Sequence, residues 1–225
     1  RQEAAEISIV RVERNNGRLL VDVRVANNTG HKFPTGFPSR RAWLHLEATD
    51  DQKRTIFESG GVTPEGKIVG LDSDYEPHHT VIDSADQVQI YQSIMGDESG
   101  GMTSTLLRAA TYLKDNRLPP RGYQRSGPMS SQTGIKGKAI NDMNFNVGDN
   151  GEGSGTDIVT FDIDLNNARH PLTIKAELLY QSSSPWFLND LFGDDTPAVS
   201  RLKEMYSKAD NYPIVVDSTT YDWAE

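Results

Sequence analysis

The chain has 225 residues and a formal net charge of −9, with a pI near 5.1. That length suits one large domain or two small ones, and the acidic balance argues against a general surface for nucleic acid or anionic lipid. The absence of cysteine excludes disulfides, thiolate metal sites, a cysteine nucleophile and haem attached through a C-x-x-C-H of this chain. No stretch approaches the roughly 18 apolar residues of a membrane helix, so no membrane insertion is expected.

Two apolar-rich segments, Glu6–Arg14 and Arg18–Ala26, flank Asn15-Asn16-Gly17, and Asn-Gly favours the positive φ angles of a tight hairpin. In the second segment Leu19, Val21, Val23 and Val25 alternate with Leu20, Asp22, Arg24 and Ala26, a period of two with one apolar face. Arg41–Thr49 alternates again, Ala42, Leu44, Leu46 and Ala48 against Trp43, His45 and Glu47. Further strands are expected at Arg54–Glu58, Gln87–Ile94, Thr156–Asp164 and Leu172–Gln181, with a weaker one at Ile214–Val216.

Helices are fewer. Ser104–Leu113 has compatible apolar spacing, and Thr196-Pro197 before AVSRLKEMYSKA reads as an N-cap with Pro at the first helical position. Arg121–Gly155 is rich in Gly, Ser, Asn and Asp, so it reads as a long surface excursion ordered by packing or a bound ion. Many short strands with decorated loops predict a mainly β chain: an antiparallel β-sandwich with one or two short helices, in one domain over 1–225 with an excursion at about 121–155.

The most unusual stretch is NNTGHKFPTGFPSRRAW at 27–43. Two Pro and two Gly between His31 and its flanks restrict the backbone, so His31 at the loop tip is held with little entropy left to lose on binding. A held imidazole makes a good ligand, and the alternative is that it only hydrogen-bonds its own loop. Arg40 and Arg41 take opposite faces if they begin the strand. One of them, Arg40 at the loop end, suits a propionate or carboxylate, although exposed ion pairing is the commoner use.

A second cluster, Asp72-Ser73-Asp74-Tyr75-Glu76-Pro77-His78-His79, packs Asp72, Asp74 and Glu76 beside two imidazoles. That density suits a metal or haem iron, against the plainer reading of a solvated acidic loop. Neighbouring histidines in extended chain face opposite ways, so one of them, His78 by preference, joins a given site. His45 beside Trp43 reads as a packed side chain, and His170 before Pro171 as a turn residue.

A third cluster, Asp142-Met143-Asn144-Phe145-Asn146-Val147-Gly148, alternates hard oxygen donors as a Ca²⁺ loop does. It fails as an EF-hand, because Val147 and Gly153 stand where Gly and a bidentate acid are required. A looser Ca²⁺ site at Asp142, Asn144 and Asn146 is one reading, an ordinary turn region the other. There is no G-x-S-x-G, Walker loop, H-E-x-x-H or dinucleotide fingerprint, so a non-catalytic protein is expected.

Taken together, the phrases NNTGHKFPTGFPSRRAWLHL at 27–46, FESGG at 57–61, EPHH at 76–79, DQVQIYQSIMGD at 86–97, YLKDNRLPP at 112–120 and AELLYQSSSPWF at 176–187 carry a resemblance. The chain resembles the cysteine-free, β-rich module at the C-terminal end of some large bacterial and archaeal multihaem c-type cytochromes. The resemblance implies an extracellular or periplasmic module, at the cell surface, that packs on a multihaem c-type cytochrome and helps assemble an electron-transfer complex or filament. It implies haem c held by a partner chain or by a segment outside this sequence, and the opening RQEAAEISIV fits a processing boundary or a junction to a longer polypeptide. It carries over His31 as a distal axial ligand, with His78 second. Bis-His ligation keeps iron six-coordinate, which closes it to O₂ chemistry. The competing class is a Ca²⁺-stabilised carbohydrate-binding or adhesion sandwich, with Trp43, Tyr75, Trp186 or Trp223 as stacking platform. A hydrolase using the 72–79 cluster is a weaker third.

Overall fold

In the computed structural model, residues 3–71, 75–148, 152–166 and 168–224 are described. Strands β1 (Ala5–Asn15) and β2 (Arg18–Asn27) form the expected hairpin, with φ of 48° at Asn16 and 82° at Gly17, the left-handed pair a two-residue turn needs. β2 pairs along its other edge with β9 (Thr156–Asp164), and β9 pairs in parallel with the two-residue β5 (Val81–Ile82), giving a four-stranded sheet β1-β2-β9-β5.

The second sheet centres on β3 (Arg41–Thr49) and β10 (Leu172–Gln181), antiparallel over nine residue pairs. β11 (Ile214–Trp223) lies outside β10. On the other edge of β3, β6 (Ile90–Gly96) takes its first residues and β4 (Thr55–Ser59) its last. β7 (Met102–Thr103) and β8 (Thr111–Asp115) complete the sheet, both paired with β6.

The alternation read in the sequence is what packs the two sheets. Leu19, Val21, Val23 and Val25 of β2, Val159, Phe161 and Ile163 of β9, Ala42, Leu44, Leu46 and Ala48 of β3, and Leu172, Ile174, Ala176 and Leu178 of β10 are buried in one apolar cluster. Each of the larger side chains contributes roughly 1.5–3 kcal/mol by leaving water. The other face of β3 is apolar at its start: Trp43 is fully buried in a second cluster with Ile68, Val88, Ile90 and Leu179, and its Nε1 donates to Gly60 O at 2.9 Å, while His45 and Glu47 further along are half-buried. The long connection from β4 to β6 therefore covers the outer face of the second sheet, and Trp43 is core rather than a stacking platform.

Among the described residues there are three short α-helices: α1 (Ser130–Thr133), α2 (Pro185–Leu191) and α3 (Pro197–Lys208). α3 starts as expected, the Thr196 hydroxyl accepting from Val199 N–H. The helix expected at Ser104–Leu113 does not form. That segment is a 3₁₀ turn at Leu106–Arg108 followed by β8, and Leu107, an anchor of the helical pattern, is 99% exposed. Sheet pairing with β6 outweighs a helical spacing with nothing to pack on. The 121–155 stretch is also more than a surface excursion, because Ile135, Ala139 and Phe145 enter the main cluster.

Candidate functional site

The loop from β2 to β3 presents His31. Buried Asn27, at the end of β2, donates Nδ2 to the carbonyls of His31 at 2.7 Å and Leu118 at 2.8 Å. Phe33 and Leu118 exchange two backbone bonds of 2.8 Å. Lys32 Nζ reaches Asp115 Oδ2 at 2.7 Å, a buried carboxylate also gripped by Arg117. Burial lowers the Lys32 pKa despite that partner, so the pair is desolvated as well as close. The loop is thus bolted to the sandwich on both sides of the imidazole.

The His31 ring itself is exposed, with Nδ1 3.0 Å from Lys32 O and 3.2 Å from Thr29 Oγ1. A carbonyl partner requires Nδ1 to carry the proton, which leaves the lone pair on Nε2. No hydrogen bond to Nε2 is formed among the described residues. A ring held by Nδ1–H on a carbonyl, with Nε2 available, is the arrangement histidines adopt when they ligate metals. Beside it lies a cavity of about 300 Å³ walled by Phe33, Pro34, Tyr180, Ile214 and Val216, with Arg40 among its lining residues. Arg40 is half-buried, and its Nη1 donates to Thr35 O at 2.9 Å. His31 and Arg40 therefore share one surface. The donor set fits axial ligation of a haem carried elsewhere: one imidazole nitrogen, an apolar wall and a guanidinium, with no cysteine to hold the group covalently.

His78 is placed very differently. It lies in the interior beside Asp157 of β9, its side chain 1% exposed, with Phe145 edge-on at 5.0 Å. Nε2 is 2.9 Å from Asp142 Oδ2, while Nδ1 faces Gln89 Nε2 at 2.7 Å and Asn116 Nδ2 at 3.1 Å. Both amides are fixed by backbone: Asn116 donates to Ile90 O and accepts from Gln92 N–H, and Gln89 Oε1 accepts from His79 N–H. Both therefore present N–H to Nδ1, so Nδ1 accepts and the proton sits on Nε2, donating to Asp142. With both ring nitrogens engaged inside the chain, His78 has no nitrogen to offer an iron in a neighbouring domain.

Asp142 and Asp157 complete this interior cluster, and with His78 they bring metal-ligating atoms within 4.8 Å of one another. Burial alone would raise Asp142, yet hydrogen bonds from His78, the Thr80 hydroxyl and Asn144 N–H hold it below the ordinary carboxylate range. Burial pushes Asp157 up, against the pull of His78 and of the Tyr91 hydroxyl at 2.8 Å. A cation on Nε2 would need the His78 proton to leave while Nδ1 still accepts, which makes an imidazolate. The cluster is built as a hydrogen-bonded core element, not as a ready metal centre.

The other residues singled out in the sequence do not converge. Glu76 turns to His79, 2.6 Å from its Nε2, and accepts from Val88 N–H. Asn146 Oδ1 accepts from Gly155 N–H and Asn144 is exposed, so neither joins Asp142 in an oxygen cage. Asp72 and Asp74 lie outside the described residues. His45 bridges Glu58 and Glu177 across three strands, and His170 stacks edge-on against Trp223 at 4.9 Å. Sequence reading missed Asp157. Its signal was present: in TDIVTFDID it occupies the buried face that Val159, Phe161 and Ile163 fill, a carboxylate where the alternation demands an apolar residue.

No family model matches the chain, and no curated protein does. Among solved structures, a penta-heme cytochrome c552 from Thermochromatium tepidum superposes with a TM-score of 0.56 at 13% identity, covering 99% of this chain and 40% of that chain. At this identity the likeness shows a shared fold. The chain spans about two fifths of the length of the cytochrome it matches.

Proposed function

We propose that the chain is a non-catalytic β-sandwich module that packs on a multihaem c-type cytochrome outside the cytoplasm and supplies His31 as the distal axial ligand of a haem it does not itself hold. The observation that carries this reading is the His31 ring, tied through Nδ1 to Lys32 O with Nε2 unengaged beside an apolar cavity. The phrases at 27–46 and 112–120 that carry the family resemblance build this surface: the first contains His31, the second contains the Asp115 and Leu118 anchors. A fold shared with part of a penta-heme cytochrome supports the same class of partner. When bound, the haem supplies one-electron chemistry. This chain's part is to orient the imidazole, to cover the haem face from water with Phe33, Pro34 and Ile214, and to set Arg40 where a propionate would meet it.

A c-type haem peptide with one axial position open tests the assignment. Titration into the wild-type chain should convert its high-spin absorption spectrum to the low-spin bis-imidazole form, while His31→Ala should leave it high-spin and His78→Ala should convert it as wild type does. Equal conversion by wild type and His31→Ala would overturn the role of His31. No conversion by any form would remove the haem reading itself.

A further inference from the structure

Arg41 begins β3 on the opposite side from Arg40, and no described carboxylate pairs with it. Only 8% of the residue is exposed. Nε donates to the neutral Gln181 Oε1 at 3.0 Å, and the guanidinium carbon sits 5.1 Å from the centre of the Trp43 ring. Nη2 is buried with no hydrogen-bond partner. No carboxylate of a described residue acts on it: burial lowers its pKa to about 10, and among the described residues the titratable group that opposes this is Tyr206, a neutral phenol at physiological pH. A buried, unpaired cation is strongly unfavourable, so such groups are matched by an anion when the site is complete.

Arg41 lines a cavity of about 280 Å³ at the seam of β3, β6 and α2. Ile90, Ile94 and Trp186 give it apolar walls, and exposed Lys67 adds a second cation. Glu76 also lines it, but its Oε1 is taken by His79 and Val88 N–H. Among the described lining residues, two cations thus face one engaged carboxylate. The volume lies near the bottom of the roughly 300–1,000 Å³ range of ligand cavities, which suits a small molecule. An inorganic oxyanion would leave the Ile and Trp walls against water, whereas an organic acid covers them.

We propose that this cavity binds a small organic carboxylate, its anionic end at Arg41 and its hydrocarbon body against Ile90, Ile94 and Trp186. The guanidinium fork matches a carboxylate in plane, with Nη2 as the unfilled donor. This cavity shares no lining residue with the one beside His31, so the two proposals stand or fall separately.

Half-buried Trp186 supplies the readout. Butyrate and benzoate, titrated into the 225-residue chain, should give a saturable change in tryptophan emission that Trp186→Phe abolishes. Butyramide, of the same shape without the charge, should bind at least about tenfold more weakly, a difference of roughly 1.4 kcal/mol. Arg41→Gln should lose the preference for acid over amide, and Arg41→Lys, which keeps the charge without the fork, should recover part of it. Should Arg41→Gln fail to fold, the acid-to-amide ratio in the wild-type chain decides. Absence of any saturable response to the acids, or an acid and amide binding alike in wild type, would overturn the site.

Discussion

Two histidines in this molecule have opposite fates, and the difference lies in what their second nitrogen meets. His31 fixes one nitrogen on a backbone carbonyl and keeps the other uncommitted at the surface. His78 has both nitrogens consumed, one by Asp142 and one by two amides whose orientation the backbone dictates. Burial alone does not separate a ligand from a core residue. The tautomer, set by neighbours, decides whether a lone pair remains to give.

The contrast is sharpest in stability. His78→Ala removes one of the donors to buried Asp142, leaves the Gln89 and Asn116 amides without their acceptor and opens a cavity beside Phe145, and should cost about 3–5 kcal/mol in urea unfolding, with little effect on haem-peptide ligation per folded molecule. Next comes the lysine beneath the same cluster. Lys114 is 1% exposed, donates to Glu76 O and Ile90 O, and burial lowers its pKa from 10.5 to about 7. Between pH 7 and 10.5 the unfolded chain holds this proton and the folded chain does not, so stability should rise with pH, by at most about 1.4 kcal/mol per unit. Below pH 7 both states are protonated and the slope vanishes. Lys114→Met should flatten that rise, and an unchanged pH profile in the variant would show that the amine titrates normally.

A smaller loss is expected at the anchor of the surface loop. Asp115→Ala frees Lys32 and Arg117 and should cost about 1.5–3 kcal/mol, while weakening haem-peptide binding through a loosened His31. Smallest is His31→Ala itself, within about 0.5 kcal/mol of wild type, although it should abolish ligation outright. If His31→Ala destabilised the chain as much as His78→Ala, the division between ligand and core histidine would not hold.

Much of this architecture is legible in the residues. Period-two alternation places β2, β3, β9 and β10 at or within a residue of their observed ends, because those strands bury one continuous apolar face. Alternation fails where pairing is short or owed to distant partners: β5 has two residues, and β8 takes its form from β6. The helix α2 carried a readable start, Ser184-Pro185, whose hydroxyl accepts from Phe187 N–H just as Thr196 does for α3. At the sites, local sequence marks His31 because the partners of its ring, Thr29 and the Lys32 carbonyl, are local, although the loop is anchored on distant Asp115 and Leu118. The His78 cluster joins residues 78, 89, 116, 142 and 157, and spacing in a sequence has no access to a convergence that only the closed sandwich creates.

The sheet order also bears on how the chain reaches this state. β2 at residues 18–27 pairs with β9 at 156–164, and β3 at 41–49 with β10 at 172–181, so the central strands of both sheets wait for partners made more than a hundred residues later. Such long closures put folding in the slow, millisecond-to-second class of β topologies. The cost of closing a loop grows only with the logarithm of its length. The stretch between the paired halves is therefore free to lengthen with little thermodynamic penalty, and the interior histidine network, which draws on that stretch, should be among the last elements to set.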